Sequence, residues 1–424
     1  MRALLLLAAL LAAAPAPSPG LAQRPAPERA RALTLEEAER LLVERNLAVI
    51  AAQRGVDQAR ALRLVASSIR PMEVTVGNSW FEVQERRGGG GTARGYSPGN
   101  NILVGLTAVV ELGGKRELRT RLAEENIGVA EAQVLDALRG QVLALRQGFI
   151  AALAARANLD VALAVRSSLE RTEALLRRQV QDGARAEVDL LTFQASRPAF
   201  EAELSLAAQA HAAAVAQVAA LLALDAAAVA PSPRPGALPA LALDLRGRLD
   251  RTPEPALTRA QLAEAVQHRP DVVAAARLAQ AGAANTNLAE AARWRDVTVN
   301  GNWGRSRLSQ DQPVTAQPLV ANNQFTLSLS VPLFTGRIVE GNIGAAQSQQ
   351  AQAEAQARAA LLQARAEFAT AWSAMEQARN LLRLYTGGAL TRAEQAYRSV
   401  ETAYQSGGRS LLEVLDALRT LNAT

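Results

Sequence analysis

Two stretches of this chain open and close alike at a fixed separation, and that spacing constrains the fold more than any other feature. Leu33-Thr34 begins a helical stretch that passes through Arg45-Asn46, and Leu257-Thr258 begins another that passes through Arg269-Pro270, about 224 residues later. Gln181-Asp182-Gly183-Ala184-Arg185 recurs as Gln405-Ser406-Gly407-Gly408-Arg409 at the same separation. Between these landmarks each half reads helix, strand, strand, very long helix. A repeat of this size means two copies of one structural device in each subunit. The pattern is that of a wall rather than of an enzyme.

The N-terminus is set aside first. Met1-Arg2 precedes an apolar run from Ala3 to Ala14, and Gly20-Leu21-Ala22 offers small residues to a signal peptidase. Residues 1–22 therefore read as a secretory signal peptide, since Pro15, Pro17 and Pro19 would break a buried helix. Residues 23–32 read as an extended leader, 33–224 as the first repeat, 225–256 as a proline-rich linker and 257–424 as the second repeat.

No other stretch reads as the about 18 uncharged apolar residues that a spanning helix needs. Entry into a membrane would then require strands closed into a barrel. The chain has no cysteine, which excludes disulfides, thiolate metal sites and lipidation of a cysteine. The formal charge of +6 is dispersed, and Lys115 is the only lysine. No basic patch interleaved with aromatics is present, so no nucleic-acid partner is expected. Aromatics make up 4% of residues, too few for one large globular core but enough for packed, alanine-rich helices.

The helical stretch from Thr34, with Glu36 and Glu37 in its first turn, is expected to run to about Ile69. Its counterpart from Thr258 is expected to run to about Arg293, with a break at Pro270. Strands follow. Val74, Val76, Asn78 and Trp80 alternate with Glu73, Thr75, Gly77 and Ser79, and Ile102, Val104, Leu106, Ala108 and Val110 keep the same period. In the second half Val297, Val299, Gly301 and Trp303 form one row, and Phe325, Leu327, Leu329, Val331 and Leu333 another. Each strand holds about ten residues, the length that crosses a bilayer core when tilted. Trp80, Phe81, Trp294, Trp303 and Phe334 lie near strand ends, where membrane interfaces favour aromatics, although each alone would suit an ordinary strand core.

From Lys115 to Gln181, and from Arg337 to Gln405, no proline interrupts helix for about 67 to 69 residues, or roughly 100 Å. Leu361, Phe368, Met375 and Leu382 repeat every seven residues, and Ala364, Ala371, Ala378 and Tyr385 follow each by three, as a coiled-coil seam does. After Gly183 the chain reverses into a return helix to about Leu224, half as long as the outgoing one. Two half-length helices stacked end to end beside each long helix would give a wall of even thickness, with the proline segment at its waist. Four strands cannot close a barrel, and open edges are not tolerated in lipid. Three chains would supply twelve strands and leave room for a channel, whereas the interior of eight would fill with side chains.

Ser330-Val331-Pro332-Leu333-Phe334-Thr335-Gly336-Arg337, the turn from Tyr404 to Asp416 and the duplication resemble the TolC-type outer-membrane efflux proteins. Val110-Glu111-Leu112-Gly113-Gly114-Lys115-Arg116 is closer to the branch serving cobalt–zinc–cadmium resistance pumps. The resemblance implies a mainly α fold with membrane β. In it, four strands from each chain of a homotrimer form a 12-stranded β-barrel in the outer membrane of a Gram-negative bacterium. A long α-helical barrel continues it across the periplasm. Val104, Leu106, Phe325, Leu327 and Leu329 would lie on the membrane strands. The tip turns, with Gly183, Gly407 and Gly408, would dock on a periplasmic adaptor (a membrane fusion protein). The inner-membrane pump would be of the resistance-nodulation-division class. No cofactor or metal is implied.

In this family the closed tip is held by a Tyr and an Arg at the second turn bonding to an acidic residue at the first. By motif these are Tyr404, Arg409 and Asp189. Two acidic residues one helical turn further on form rings that narrow the entrance, matching Glu413 and Asp416; Glu413 departs from the family's Asp. Such rings attract cations and can be plugged by divalent ions. The reading of the residues alone is a solvated helix-end cluster, with Asp189 and Glu413 near helix N-termini. The second repeat reaches Thr424 with a return helix from Ser410 to about Asn422, much shorter than the first, and truncation is the expectation.

The function implied is passive export of small molecules or metal ions through the exit duct of a tripartite pump. A periplasmic coiled-coil adaptor or scaffold is the alternative, and it would leave four alternating strands unexplained. No GxSxG, P-loop or HExxH motif appears, and His211 and His268 lack partners at ligand spacing, so an enzyme is not expected.

Overall fold

The computed structural model describes residues 31–83, 97–224, 229–230, 240–241, 243–249, 255–308 and 320–424. The expected signal peptide, the Gly-rich loop at 88–91 and most of the proline-rich linker lie outside the described residues.

Strand β1 (Arg31–Thr34) leads into helix α1 (Leu35–Arg45). The Thr34 hydroxyl accepts from the Glu37 N–H at 3.4 Å, and the Glu37 carboxylate accepts from the Thr34 N–H at 2.9 Å, a reciprocal capping box. The single helix expected as far as Ile69 is two, because Asn46 interrupts it before α2 (Leu47–Ser67). Asn46 is extended, and its Oδ1 accepts from the Ala48 and Val49 N–H groups at 3.0 and 3.1 Å. Asparagine competes with helix interior and favours this cap position.

Strands β2 (Glu73–Val83) and β3 (Ser97–Val110) come next, then α3 (Lys115–Gln181) and α4 (Glu187–Leu221). Helix α3 holds 67 residues, as its uninterrupted sequence predicts. Helix α4 carries Pro198 within it. Short strands β4 (Val229–Ala230) and β5 (Ala240–Leu241) pair with each other, and β6 (Leu243–Arg246) runs parallel to β1. Helix α5 (Arg259–Ala265) and a 3-10 turn (Val266–His268) precede α6 (Pro270–Ala291). The expected break falls at Arg269, whose extended backbone is what a residue before proline adopts. Strands β7 (Val297–Leu308) and β8 (Val320–Ser330) are followed by α7 (Gly336–Leu384), α8 (Leu390–Gln405) and α9 (Leu411–Ala423). Strand β8 ends before Val331 and Leu333, which the alternation had included; the fully exposed Phe334 that follows has a positive φ of 57°.

The second long helix departs from expectation. Between α7 and α8 lies a wide turn (Tyr385–Ala389) in which Gly388 has φ 111°, a conformation glycine adopts without strain. The run from Gly336 to Gln405 is three residues longer than that from Lys115 to Gln181. The helix kinks here, where Gly387 and Gly388 leave helical geometry.

Packing follows the lengths. Helices α2, α4 and α6 all lie against α3, and α7 lies against α6. The C-terminal end of α4 meets the α1–α2 junction, where Asn46 Nδ2 donates to Leu221 O at 2.8 Å and to Gln141 Oε1 at 3.1 Å. Leu33, Ala38 and Leu42 pack there with Leu145 and Phe149 of α3, with Val218 of α4 and with Leu222 just beyond it. Ala152, Val215, Ala219 and Leu243 of β6 extend this core. The seam expected on α7 is buried only in part: Ala364 is enclosed beside Leu361 and Phe368, while Leu382 and Tyr385 are exposed. Two of these helices correct an expectation drawn from hydropathy. Both α3 and α4 contain a stretch long and apolar enough to cross a membrane by length and composition. In this fold α3 packs against α2, α4 and α6.

Candidate functional site

Two regions carry the residues singled out in the sequence. The first is a four-stranded antiparallel sheet in the order β2-β3-β7-β8. Its register sets Val74 opposite Leu106, Val76 opposite Val104, Val104 opposite Trp303, Leu106 opposite Gly301, Trp303 opposite Phe325, and Val299 opposite Leu329. Side chains opposite one another share a face, so Val104, Leu106, Phe325, Leu327 and Leu329 belong to one apolar surface. That surface is bare in the single chain: Phe325 is 80% exposed and Leu327 77%. The other face carries Thr107, whose hydroxyl donates to Asn300 Oδ1 at 2.9 Å, with Asn302, Thr326 and Ser328 in the same rows. Strands β2 and β8 are its edges, each with one backbone ladder unpaired among the described residues.

Charged staples fix this sheet to the helices. Glu111, at the foot of β3, receives Arg70 Nε from beyond α2 at 3.1 Å and Arg119 Nη2 from α3 at 3.0 Å. Lys115, at the first turn of α3, reaches Asp296 before β7.

The second region is the far end of the long helices. Gly183 and Gly407 have φ of 72° and 83°, and the N–H groups of Ala184 and Gly408 return to Gln179 O and Ala403 O at 2.8 Å, so both turns close in the same way. The two hairpins pack against each other through Leu169 and Leu176 of α3, Phe193 and Phe200 of α4, Tyr404 of α8, and Val414, Leu415 and Leu418 of α9.

Tyr404 is 3% exposed, and its hydroxyl is buried with no hydrogen-bond partner. Burial pushes its phenol above the ordinary value. Arg185 covers it. The guanidinium carbon lies 4.5 Å from the ring centroid, and Nη2 donates to Tyr404 O at 3.1 Å. Arg185 Nη1 is also 3.9 Å from Asp189 Oδ2. The expected link from Arg409 to Asp189 is not the contact within this chain. Arg409 pairs with Glu413 Oε1 at 2.6 Å. Glu413 also accepts from the Ser410 N–H at 2.8 Å, and that backbone donor, with Arg409 next, holds its carboxyl below the usual range. Asp416 is exposed on α9. Gly183, Gly407 and Gly408 all lie on the exposed turns.

Arg185 is the residue that sequence reasoning passed over. Its signal was present: the turn comparison that places Arg409 places Arg185 at the same position of the first turn, and each is followed four residues later by a carboxylate, Asp189 or Glu413. Among the described residues no group of three His, Asp or Glu side chains could hold a metal ion, and His211 is buried on α4.

Residues 262–424 match the family model described as outer membrane efflux protein. Comparison with curated protein sequences gave no match. The fold is similar to that of CusC, whose reported structures concern folding and transmembrane channel formation, at 18% identity and a TM-score of 0.68; the match covers 92% of this chain and 86% of that one. The outer membrane protein VceC of Vibrio cholerae is 22% identical with a TM-score of 0.64, covering 92% and 90% of the two chains. The CmeC outer membrane channel of Campylobacter jejuni is 15% identical with a TM-score of 0.69, covering 92% and 80%. Residues 262–424 thus carry the likeness to the outer membrane efflux protein family, and the chain as a whole has the fold of these outer-membrane channels.

Proposed function

We propose that the protein is the outer-membrane exit duct of a tripartite efflux pump. Three chains would contribute four strands each to a 12-stranded barrel, and the two structural repeats of each chain would build a helical barrel reaching into the periplasm. Small molecules or metal ions would leave passively through the shared lumen. The tip turns at Gly183, Gly407 and Gly408 would meet a periplasmic adaptor, and through it an inner-membrane pump of the resistance-nodulation-division class. Tyr404, Asp189, Arg409, Glu413 and Asp416 would form the gate at that end.

One observation supports this reading above the others. A sheet about 11 residues deep carries a continuous exposed apolar face and two unpaired edges. Exposed apolar area of this extent marks an interaction surface. In lipid, unpaired edges must be closed by other strands. A periplasmic adaptor would have no use for such a face. The helices continue from the foot of this sheet, so a closed barrel would open into the space they enclose.

Heat-modifiable trimers from outer-membrane fractions, together with ion conductance after reconstitution in planar bilayers, test the proposal. Stable trimers that conduct are the expected result. A detergent-independent monomer without conductance would overturn it.

A further inference from the structure

We propose that Arg185 is the latch of the tip, a positioning residue that joins the two hairpins through the ring and the backbone carbonyl of Tyr404 and not through its hydroxyl. This deepens the gate reading given above and rests on it for its consequence in transport.

Three contacts converge on one guanidinium. Its central carbon lies over the Tyr404 ring, 4.5 Å from the centroid, within the range in which a cation is attracted by the face of an aromatic ring. Its Nη2 donates to Tyr404 O at 3.1 Å, a carbonyl in the last turn of α8 that also accepts from the Gly407 N–H at 3.0 Å, so the guanidinium is a second donor at the negative end of the helix. Its Nη1 faces Asp189 in the first turn of α4 at 3.9 Å. One side chain from the first turn thus spans the negative end of α8 and the positive end of α4. The two partners Arg185 and Tyr404 are 219 residues apart in sequence.

The hydroxyl contributes nothing comparable. Tyr404 Oη is buried and unpartnered. Removing it leaves the stacked ring and the carbonyl contact in place. Removing Arg185 uncovers the ring and takes away the donor that ties the α8 terminus to the first turn. Lysine would keep the charge, but it has no planar fork to stack and donate at once. Arg409, the counterpart in the second turn, is occupied by Glu413 on its own helix, so it does not duplicate the bridge.

The chain has no cysteine, so Asp182→Cys and Ser406→Cys place one spin label on each exposed turn. Labelled chains diluted among unlabelled ones, in detergent, report the separation of the two turns within a chain by electron double resonance. The parent should give one narrow separation. Arg185→Gln and Arg185→Lys should both broaden and lengthen it, with helix content by circular dichroism unchanged. Tyr404→Phe should leave it narrow. Tyr404→Leu, which keeps the carbonyl contact, should broaden it in part, and adding Arg185→Gln to that variant should bring it to the width of Arg185→Gln alone. An unchanged separation in Arg185→Gln overturns the latch, as does a Tyr404→Phe variant that opens as far as Arg185→Gln. If Arg185→Gln lost helix content, the neutral Tyr404→Phe and the non-rescuing Arg185→Lys would still decide the matter. Bilayer conductance of the parent is read separately; its absence would defeat the duct and leave the latch standing.

Discussion

Lys115 Nζ lies 2.6 Å from Asp296 Oδ1 and 2.7 Å from Trp294 O, so the only lysine in the chain ties the start of the first long helix to the entry of β7, the third strand of the four-stranded sheet. The two strand–helix crossovers come together at this point. Leu112 N–H adds a bond to the same carboxylate at 3.3 Å. Lys115 and Asp296 are 14% and 27% exposed, so this pair is screened less than a surface ion pair. Replacing Lys115 with methionine leaves Asp296 half-buried without its cation. We expect a loss of roughly 1.5–3 kcal/mol, measured as a lower midpoint of unfolding in detergent by circular dichroism, and an unchanged midpoint would contradict the staple.

Asn46 joins four helices, dividing α1 from α2 and donating to α3 and α4. It caps α2 through Oδ1 and satisfies Leu221 O at the end of α4 through Nδ2. Asn46→Ala should cost about 2–3 kcal/mol, because it removes the cap and orphans a buried carbonyl. Asn46→Asp keeps the cap acceptor but has no donor for Leu221 O, so its midpoint should fall between those of the parent and the alanine variant. An aspartate variant as stable as the parent would show that the Leu221 contact contributes nothing.

Acid should weaken the same region on the other side of α3. Arg269 donates to Asp271 Oδ1 and Oδ2 at 2.7 and 2.6 Å and pairs with Glu367 Oε2 on α7 at 2.8 Å. Hydrogen bonding from Arg269 holds the Asp271 carboxyl below its ordinary value of 3.8. A carboxyl depressed in the folded state stabilises fully above that ordinary value and loses its contribution as pH falls through the lowered one. The thermal midpoint should therefore decline below about pH 4, with a shallower decline in Asp271→Asn. Equal slopes for parent and variant would exclude the pair as a source of acid sensitivity.

The two faces of the sheet should respond differently to one charge. Leu327→Arg places a guanidinium on the apolar face and should cost about 2–4 kcal/mol if that face meets lipid near the bilayer midplane. Thr326→Arg, one residue earlier and on the opposite face, should be tolerated. Recovery of heat-modifiable trimers from outer membranes measures both. Equal loss from the two variants would contradict the assignment of faces.

Much of this architecture can be read from residues because local rules and packing agree over long distances. Phe325, Leu327 and Leu329 alternate with Thr326 and Ser328, and only a strand keeps that period. From Lys115 to Gln181 nothing breaks a helix, and nothing does. Where reading failed, a partner remote in sequence decided. Asn46 looks like one polar residue in a helical stretch until Leu221 O arrives from the end of another helix. Gly387-Gly388 was passed over because the heptad rows of Leu361 to Leu382 run straight toward it. Arg185 matched Arg409 by position, but its stacking on Tyr404 depends on two turns that meet only in the folded tip.

The edges of the sheet provide the most direct test of a shared barrel. Thr75 on β2 and Thr326, Ser328 and Ser330 on β8 lie on the same, polar face at opposite edges, in a chain without native cysteine. Thr75→Cys combined in turn with Thr326→Cys, Ser328→Cys or Ser330→Cys, oxidised in intact outer membranes and run on a denaturing gel, samples the registers in which β2 of one chain can meet β8 of the next. A covalent ladder that stops at three chains for at least one pair is the predicted result. Monomers for every pair, or a ladder that continues past three, would contradict a closed ring of three chains.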